Sequence, residues 1–385
     1  MTDPTPIRVM HVFGRMDRGG AEMRTVELMP EMAKRGVHFD YCAMTPGEGA
    51  LNPRVLDAGS TVDVCALKGS FPRFVRSFRK LLRERRPDII HSHIHLTSGL
   101  IMLLARSAGV RHRVVHFRSS SDGRKASLPR RSYQGLMRTL IRRNATAILA
   151  VSHGAMVGGL GPEWENDKRA AVLYNGFDAD SFPPHRPADA ALRSAWSIPD
   201  DAIIVTQVGR FVEAKAHNVT VDAIAQLGGD AARFVFLFVG DGELQDAVQQ
   251  QAERAGVLDR IRFLGLREDV PDLLAQSDLS IMPSRREGLP GALLESLAAG
   301  TRVIASDLPG VREIDALGDG VTIIPTEDPA ALARAILAAG PHPTDPNDVP
   351  GLPEAFRMKT CADHLYRIYA ELIGRSPADH PPNAG

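Results

Sequence analysis

Glu287 and Glu295 stand eight residues apart in the run S-R-R-E-G-L-P-G-A-L-L-E-S-L-A-A-G, Ser284 to Gly300. Pro290 sits where a helix can begin, because at a first turn its missing N–H costs nothing. Leu293, Leu294, Leu297 and Ala298 then share one apolar face, and Gly300 supplies a stop. Glu287 falls in the loop before the helix, and Glu295 lies about one and a half turns into it. The first N–H groups of a helix lack intrahelical acceptors and carry the positive end of its dipole. Gly288, Leu289, Pro290, Gly291 and Ala292 therefore form a cradle for an anion such as a phosphate ester, with a carboxylate on each side. Two glutamates at this spacing also occur on many solvated helices, so the surroundings carry the reading.

Cations are available upstream. Ala202 to Val208 reads as a buried parallel strand, and G-R-F-V-E-A-K follows it. Gly209 opens a loop carrying Arg210 and Lys215, two cations suited to a diphosphate. A second strand, loop and helix stands at Ile7 to Phe13, Gly19-Gly20, and Glu22 to Arg35; its paired glycines let the backbone approach a ligand. Asp88 to His93 is a strand whose His91, His93 and His95 alternate, but no Cys, Asp or Glu follows at ligand spacing, so no metal is expected. Val114 to Ser121 places His116 and Arg118 near another strand's carboxyl end. His116 is either a functional imidazole or a satisfied strand histidine.

The segment E-G-L-P-G-A-L-L-E resembles the E-x7-E signature of retaining glycosyltransferases of family 4. G-G-A-E at Gly19, G-R-x-x-x-x-K at Gly209, N-G-x-D-x-x-x-F at Asn175 and the L-P-G and Glu313 of the closing loop are similar to further family motifs. The resemblance implies an α/β protein of GT-B fold, two Rossmann-like parallel-sheet domains facing each other across a cleft. It implies that Glu287 approaches the donor sugar and Glu295 the ribose. Arg210 and Lys215 would meet the diphosphate, Gly19 and Gly20 would lie close to it, and Leu266 would hold the nucleobase through its backbone. Where many relatives place a histidine against the sugar, this chain sets Arg118. Either His116 takes that place through a shifted register, or Arg118 meets a phosphate or an anionic acceptor. Ala216 stands where relatives carry glycine or asparagine. The implied activity is a retaining, metal-independent transfer of a hexose from a UDP- or GDP-sugar to a lipid-linked or polysaccharide acceptor, with no cofactor. A nucleotide-sugar epimerase of the same fold, or a degenerate membrane- or glycan-binding relative, are the alternatives.

Length and composition frame these sites. With 385 residues, 44% hydrophobic and 24% charged, the chain reads as a soluble protein of two domains. The expected bounds are 1–182 for the first and 198–352 for the second. Between them lies an exposed connection, Pro183 to Asp201. A proline-rich stretch, Pro341 to Pro353, precedes a helix over 354–374 that the resemblance sends back onto the first domain, and 375–385 form a disordered tail. Three cysteines exclude a disulfide framework. The N-terminus lacks the layout of a signal peptide and no run of 18 apolar residues occurs, so a cytoplasmic protein is expected.

Net charge is zero only as a whole. Through His185 there are 28 basic and 17 acidic residues, against 18 and 29 beyond it, so the first half should meet something anionic. Phe71 to Pro87 joins an apolar stripe to Arg73, Arg76, Arg79, Lys80 and Arg83, and a further basic run follows Gly123. The stripe either lies on an anionic membrane at the inner face of the plasma membrane or packs on the core. No nucleic-acid motif accompanies these arginines.

Overall fold

A computed structural model describes residues 5–17, 19–67, 69–119, 127–342 and 349–376. The loop expected from Gly123, the middle of the Pro341–Pro353 stretch and the tail to Gly385 lie outside these residues. The chain forms two units, Met1–Gly176 with Met358–Gly385, and Phe177–Arg357.

The first unit carries β1 (Ile7–Phe13), β2 (Val37–Ala43), β3 (Val62–Val64), β4 (Ile89–Ser92), β5 (His112–Phe117), β6 (Ala147–Ala150) and β7 (Ala170–Val172). They pair in the order β3-β2-β1-β4-β5-β6-β7, all parallel. The second carries β8 (Ile203–Val208), β9 (Phe234–Val239), β10 (Ile261–Gly265), β11 (Leu279–Met282), β12 (Val303–Ser306) and β13 (Val321–Ile324), in the order β10-β9-β8-β11-β12-β13, again parallel. Helices cover both faces of such sheets, so the strands are near-continuous apolar runs; all six residues of β9 are buried. In each sheet the strand order reverses once, between β1 and β4 and between β8 and β11. Open parallel sheets bind ligands beyond the carboxyl ends at such a reversal.

Three local expectations change, and one open alternative is decided. The helix expected over Glu22–Arg35 is two, Gly20–Glu27 and Met29–Lys34, because Pro30 sits in the second one's first turn, where its missing N–H fits but the preceding helix cannot run through it. The boundary falls at Gly176 rather than within 182–198. The segment Pro183–Asp201 is a covering layer, since Leu192, Trp196 and Ile198 pack against Ile204 and Leu237 of the second sheet. At about 25 cal/mol per Å2, each such side chain contributes about 2 kcal/mol when covered, which a free linker would forgo. The stripe of the Phe71–Arg85 helix faces inward, with Phe74, Phe78, Leu81 and Leu82 buried. That apolar face is therefore taken by the core.

The last helix, Met358–Ile373, buries Cys361, Leu365, Tyr366 and Tyr369 against the first unit's core, joining Met32, Phe39 and Tyr41. Asp363 accepts from Arg35 Nη2 at 2.6 Å, and Tyr369 Oη meets His91 Nδ1 at 2.6 Å.

Candidate functional site

In the second unit the site grows from the β8–β11 reversal. After Val208 the chain turns through Gly209 beside the end of β9. Gly240 there has φ 137°, and a Cβ on it would overlap the Gly209 carbonyl oxygen. The G-D-G at 240–242, incomplete as a dinucleotide fingerprint, thus lets two strand ends meet. Lys215 closes a short turn, Glu213–Lys215, and its carbonyl accepts from Gln207 Nε2 at 3.0 Å, with Gln207 fixed in turn by Thr220 at 2.7 Å. Ala216 follows at φ 52°, a left-handed conformation that glycine or asparagine adopts at lower cost.

Lys215 Nζ donates to Glu287 Oε1 at 2.6 Å, and Ser284 Oγ donates to the same oxygen at 2.9 Å. The pair is mostly covered, with side chains 24% and 14% exposed, so it is screened less than a surface pair. Both bonds fall on Oε1, which leaves Oε2 for a hydroxyl group. Arg285 braces the arrangement: its backbone N–H donates to Ala214 O at 2.9 Å and its Nη1 to Glu213 O at 2.7 Å, tying the Lys215 turn to the Glu287 loop. Sequence reasoning quoted Ser284 and Arg285 without giving them a role. Spacing shows where a carboxylate sits, whereas a brace to a turn 70 residues away has no periodic signal.

The helix after the loop runs Gly291–Ala298, with Pro290 as its extended cap at φ −75° rather than its first helical residue, and no side chain caps it. Ser296 Oγ pins it to Ser280 of β11 at 2.8 Å. Gly288 is held from behind by Gly310, where a Cβ would overlap the Gly288 carbonyl oxygen. The L-P-G resemblance at 308–310 thus marks a close backbone approach. Lys215, Glu287, Gly209 and the Gly288–Gly291 cradle are brought to one sheet end. Arg210 is exposed in the adjoining loop, Glu295 is half-buried on the helix, and Leu266, 74% exposed, follows β10 two strands away from β8.

The first unit's reversal is built differently. Gly19 caps the Gly20–Glu27 helix, and a Cβ on it would overlap the Glu22 carboxylate, so this helix start already faces an acid of its own chain. Burial pushes the Glu22 carboxyl up. His11, His91, His93 and His116 are all buried, with ring centroids of neighbours 4.3–5.5 Å apart. Burial holds all four imidazoles well below their ordinary value, and the Arg118 charge adds to it. His95 is not on their face. It lies in a short turn past the strand at φ 50°, because β4 ends at Ser92, and alternation ends with the strand.

His11, His91 and His93 hold ring nitrogens within 4.8 Å of one another, a spacing that could admit a metal ion. Their hydrogen bonds argue against it. Arg118 Nε donates to His93 Nδ1 at 3.1 Å, so the His93 proton sits on Nε2 and is donated to His11 Nδ1 at 2.9 Å. Two of the candidate lone pairs are thereby committed, and a cation would sit beside a guanidinium. Between the two sequence candidates, His116 lies inside β5 at 1% exposure, and Arg118 occupies the end of the strand.

Of the five cations expected to face a membrane or acceptor, Arg73, Arg76, Lys80 and Arg83 are exposed and Arg79 is half-buried, donating to Ser107 O at 3.4 Å. A neighbouring helix, Leu128–Asn144, was not singled out as an apolar surface, yet it exposes Leu128 (78%), Tyr133 (45%) and Leu136 (55%) beside Arg131, Arg142 and Arg143. Among the described residues, no helix is long and apolar enough to cross a membrane.

Comparison with known proteins bears on both units. Residues 19–160 match the family model described as glycosyl transferase 4-like domain, and residues 202–339 match that described as glycosyl transferases group 1. A Bacillus subtilis (strain 168) protein whose name describes it as a glycosyltransferase, EpsF, is 32% identical over 342 residues, 87% of this chain and 89% of that protein. The capsular polysaccharide biosynthesis glycosyltransferase CapH of Staphylococcus aureus is 31% identical over 314 residues, 80% of this chain and 84% of its own. Among solved structures, Anabaena HepE in complex with UDP superposes with a TM-score of 0.72 at 20% identity, covering 96% of each chain. The two parallel sheets are the two Rossmann-like domains of the GT-B fold, and the chain belongs to the group 1 glycosyltransferases of the family 4 type.

Proposed function

We propose that the enzyme transfers a hexose from a nucleotide-diphosphate sugar with retention of configuration and without a metal ion. The observation that carries this reading is the Lys215–Glu287 pair at 2.6 Å beside the uncapped start of the Gly291–Ala298 helix, at the β8–β11 reversal. Lys215, Arg210 and the helix N–H groups offset the charge of a departing diphosphate, which is the task a divalent ion performs elsewhere. Glu287 orients the sugar through Oε2, and Glu295 reaches the ribose. Leu266 and its neighbours hold the base through backbone atoms, and UDP is the nucleotide held by the HepE structure. The reading for retention is attack on the face the diphosphate leaves, the diphosphate taking the acceptor proton.

The acceptor is lipid-linked or a growing polysaccharide; the name of CapH, a capsular polysaccharide biosynthesis glycosyltransferase, supports a role in polysaccharide synthesis. Peripheral contact with an anionic membrane falls to the Leu128–Asn144 helix as much as to Phe71–Arg85, because the former exposes Leu128, Tyr133 and Leu136 among its cations where the latter exposes Phe71. Nucleotide release from a panel of UDP-, GDP- and ADP-sugars in excess chelator tests the reading. Release from one donor, lost in Glu287→Ala, is the expected result. Turnover of the donor into an isomeric nucleotide sugar with no nucleotide freed would favour an epimerase instead. Absence of any donor binding would favour a catalytically degenerate relative.

A further inference from the structure

Among the described residues, Arg118 is hydrogen-bonded to no carboxylate. It directly follows β5, so it lies at the carboxyl edge of the sheet where parallel folds receive ligands. Three neighbours at that edge fix its guanidinium. Nε donates to His93 Nδ1 at 3.1 Å, Nη1 to Asn175 Oδ1 at 2.6 Å and Nη2 to Thr25 Oγ1 at 3.1 Å. All three acceptors are neutral. Thr25 spends its own proton on the Ala21 carbonyl at 2.8 Å, and His93 spends its proton on His11, so none of them can take up the charge.

The surroundings offset that charge only in part. Burial lowers the Arg118 pKa to about 10, against smaller opposing effects of Tyr369 and Glu22, neither of which is hydrogen-bonded to it. A small cavity beside it is lined among others by Thr25, His11, His91, His116, Asn175 and Arg24, whose own charge is paired with Glu27 at 2.9 Å, and His11 Nε2 and His91 Nε2 lack any hydrogen-bond partner. A half-buried cation whose hydrogen-bond partners are all neutral is a costly arrangement, and an anion would complete it. A guanidinium has five N–H groups. Three are engaged, which leaves one on each terminal nitrogen, the number that a carboxylate or phosphate takes in a forked pair.

We propose that Arg118 is a specificity-determining residue that reads an acidic group, a carboxylate or phosphate carried on a sugar that the first domain binds. This rests on the glycosyl-transfer reading only in taking the ligand to be a sugar. It narrows the substrate class to acidic sugars, either the one transferred or the one at the acceptor end.

The test uses the full chain and matched probes that differ only in charge. Methyl β-D-glucuronide is compared with methyl β-D-glucoside, glucose 1-phosphate with glucose, and UDP-glucuronate with UDP-glucose, by titration calorimetry or saturation-transfer NMR. The acidic member of at least one pair should bind about tenfold tighter, the factor that one charge-assisted contact supplies. Arg118→Gln should equalise that pair, and Arg118→Lys should keep part of the preference because charge remains while the fork is lost. A preference confined to the UDP pair assigns the acid to the donor; one confined to the free sugars assigns it to the acceptor. Equal binding within every pair overturns the inference, as does a preference that Arg118→Gln leaves intact. Should Arg118→Gln fail to fold, the native pairs and Arg118→Lys decide. UDP titrated alongside reports the second-domain donor site separately, so its failure to bind would count against the donor reading while the free-sugar pairs still judge Arg118.

Discussion

The two sheets reverse strand order at equivalent places, yet what stands beyond the reversal differs in kind. Past β8 and β11 stands an ion pair at 2.6 Å with an uncapped helix start beside it; past β1, β4 and β5 stand four buried neutral imidazoles under one arginine. The same topology therefore dictates where a ligand goes and leaves its chemistry to a handful of side chains. The second domain presents charges partly open to water, which the proposed function assigns to a diphosphate. In the first domain, burial strips four histidines of their charge and leaves Arg118 as the cation hydrogen-bonded among them.

Acid should separate the two regions most strongly. The folded pKa values of His11, His91, His93 and His116 lie below the unfolded value near 6.5. The unfolded chain therefore binds more protons below that pH, and stability falls as pH falls through it; above it their contribution is constant. Four such groups give a limiting slope of about 5 kcal/mol per pH unit. The second domain has fewer, His217 lowered to about 3 and the partly covered His185 to about 4. Hydrogen exchange followed by domain between pH 7 and 5 should show the first domain loosening first; equal loosening would erase the contrast.

Next in size is the ion pair. Lys215→Ala and Glu287→Ala should each lower turnover by about 10²–10³-fold, the usual effect of removing one stabilising group at a departing charge, while circular dichroism shows both domains folded. Near-native turnover in either variant would remove the pair from the chemistry. Gly310→Ala tests the support rather than the pair. Its added methyl would displace the Gly288 backbone, so the donor KM should rise and turnover drop by about tenfold or more, with a stability loss of about 1–3 kcal/mol. The smallest effect is expected at Ala216, where Ala216→Gly should raise stability by about 1 kcal/mol or less by relieving φ 52°, measured by denaturant unfolding of the second domain.

The sheets were legible because parallel strands buried on both faces write continuous apolar runs such as Ala202 to Val208, with glycine at their ends. The second-domain site was legible in part, since Lys215, Glu287 and the Gly288–Gly291 cradle lie in short local motifs. The roles of Gln207, Arg285 and Gly310 were not, because each acts by touching the backbone of another segment, a contact that leaves no periodic signal. In the first domain, alternation grouped His95 with His91 and His93, but strand periodicity has no force past Ser92; His11 joins them from a strand 80 residues earlier. Apolar periodicity marked the Phe71–Arg85 stripe correctly and could not tell a membrane from a core.

The most direct test of the central claim, that the second domain holds a nucleotide diphosphate without metal, is calorimetric titration of UDP and GDP in excess chelator. The account predicts that one nucleotide binds the native protein under chelation and that Lys215→Ala weakens it by about tenfold or more. Binding that appears only when a divalent ion is restored, or that Lys215→Ala leaves unchanged, would contradict it.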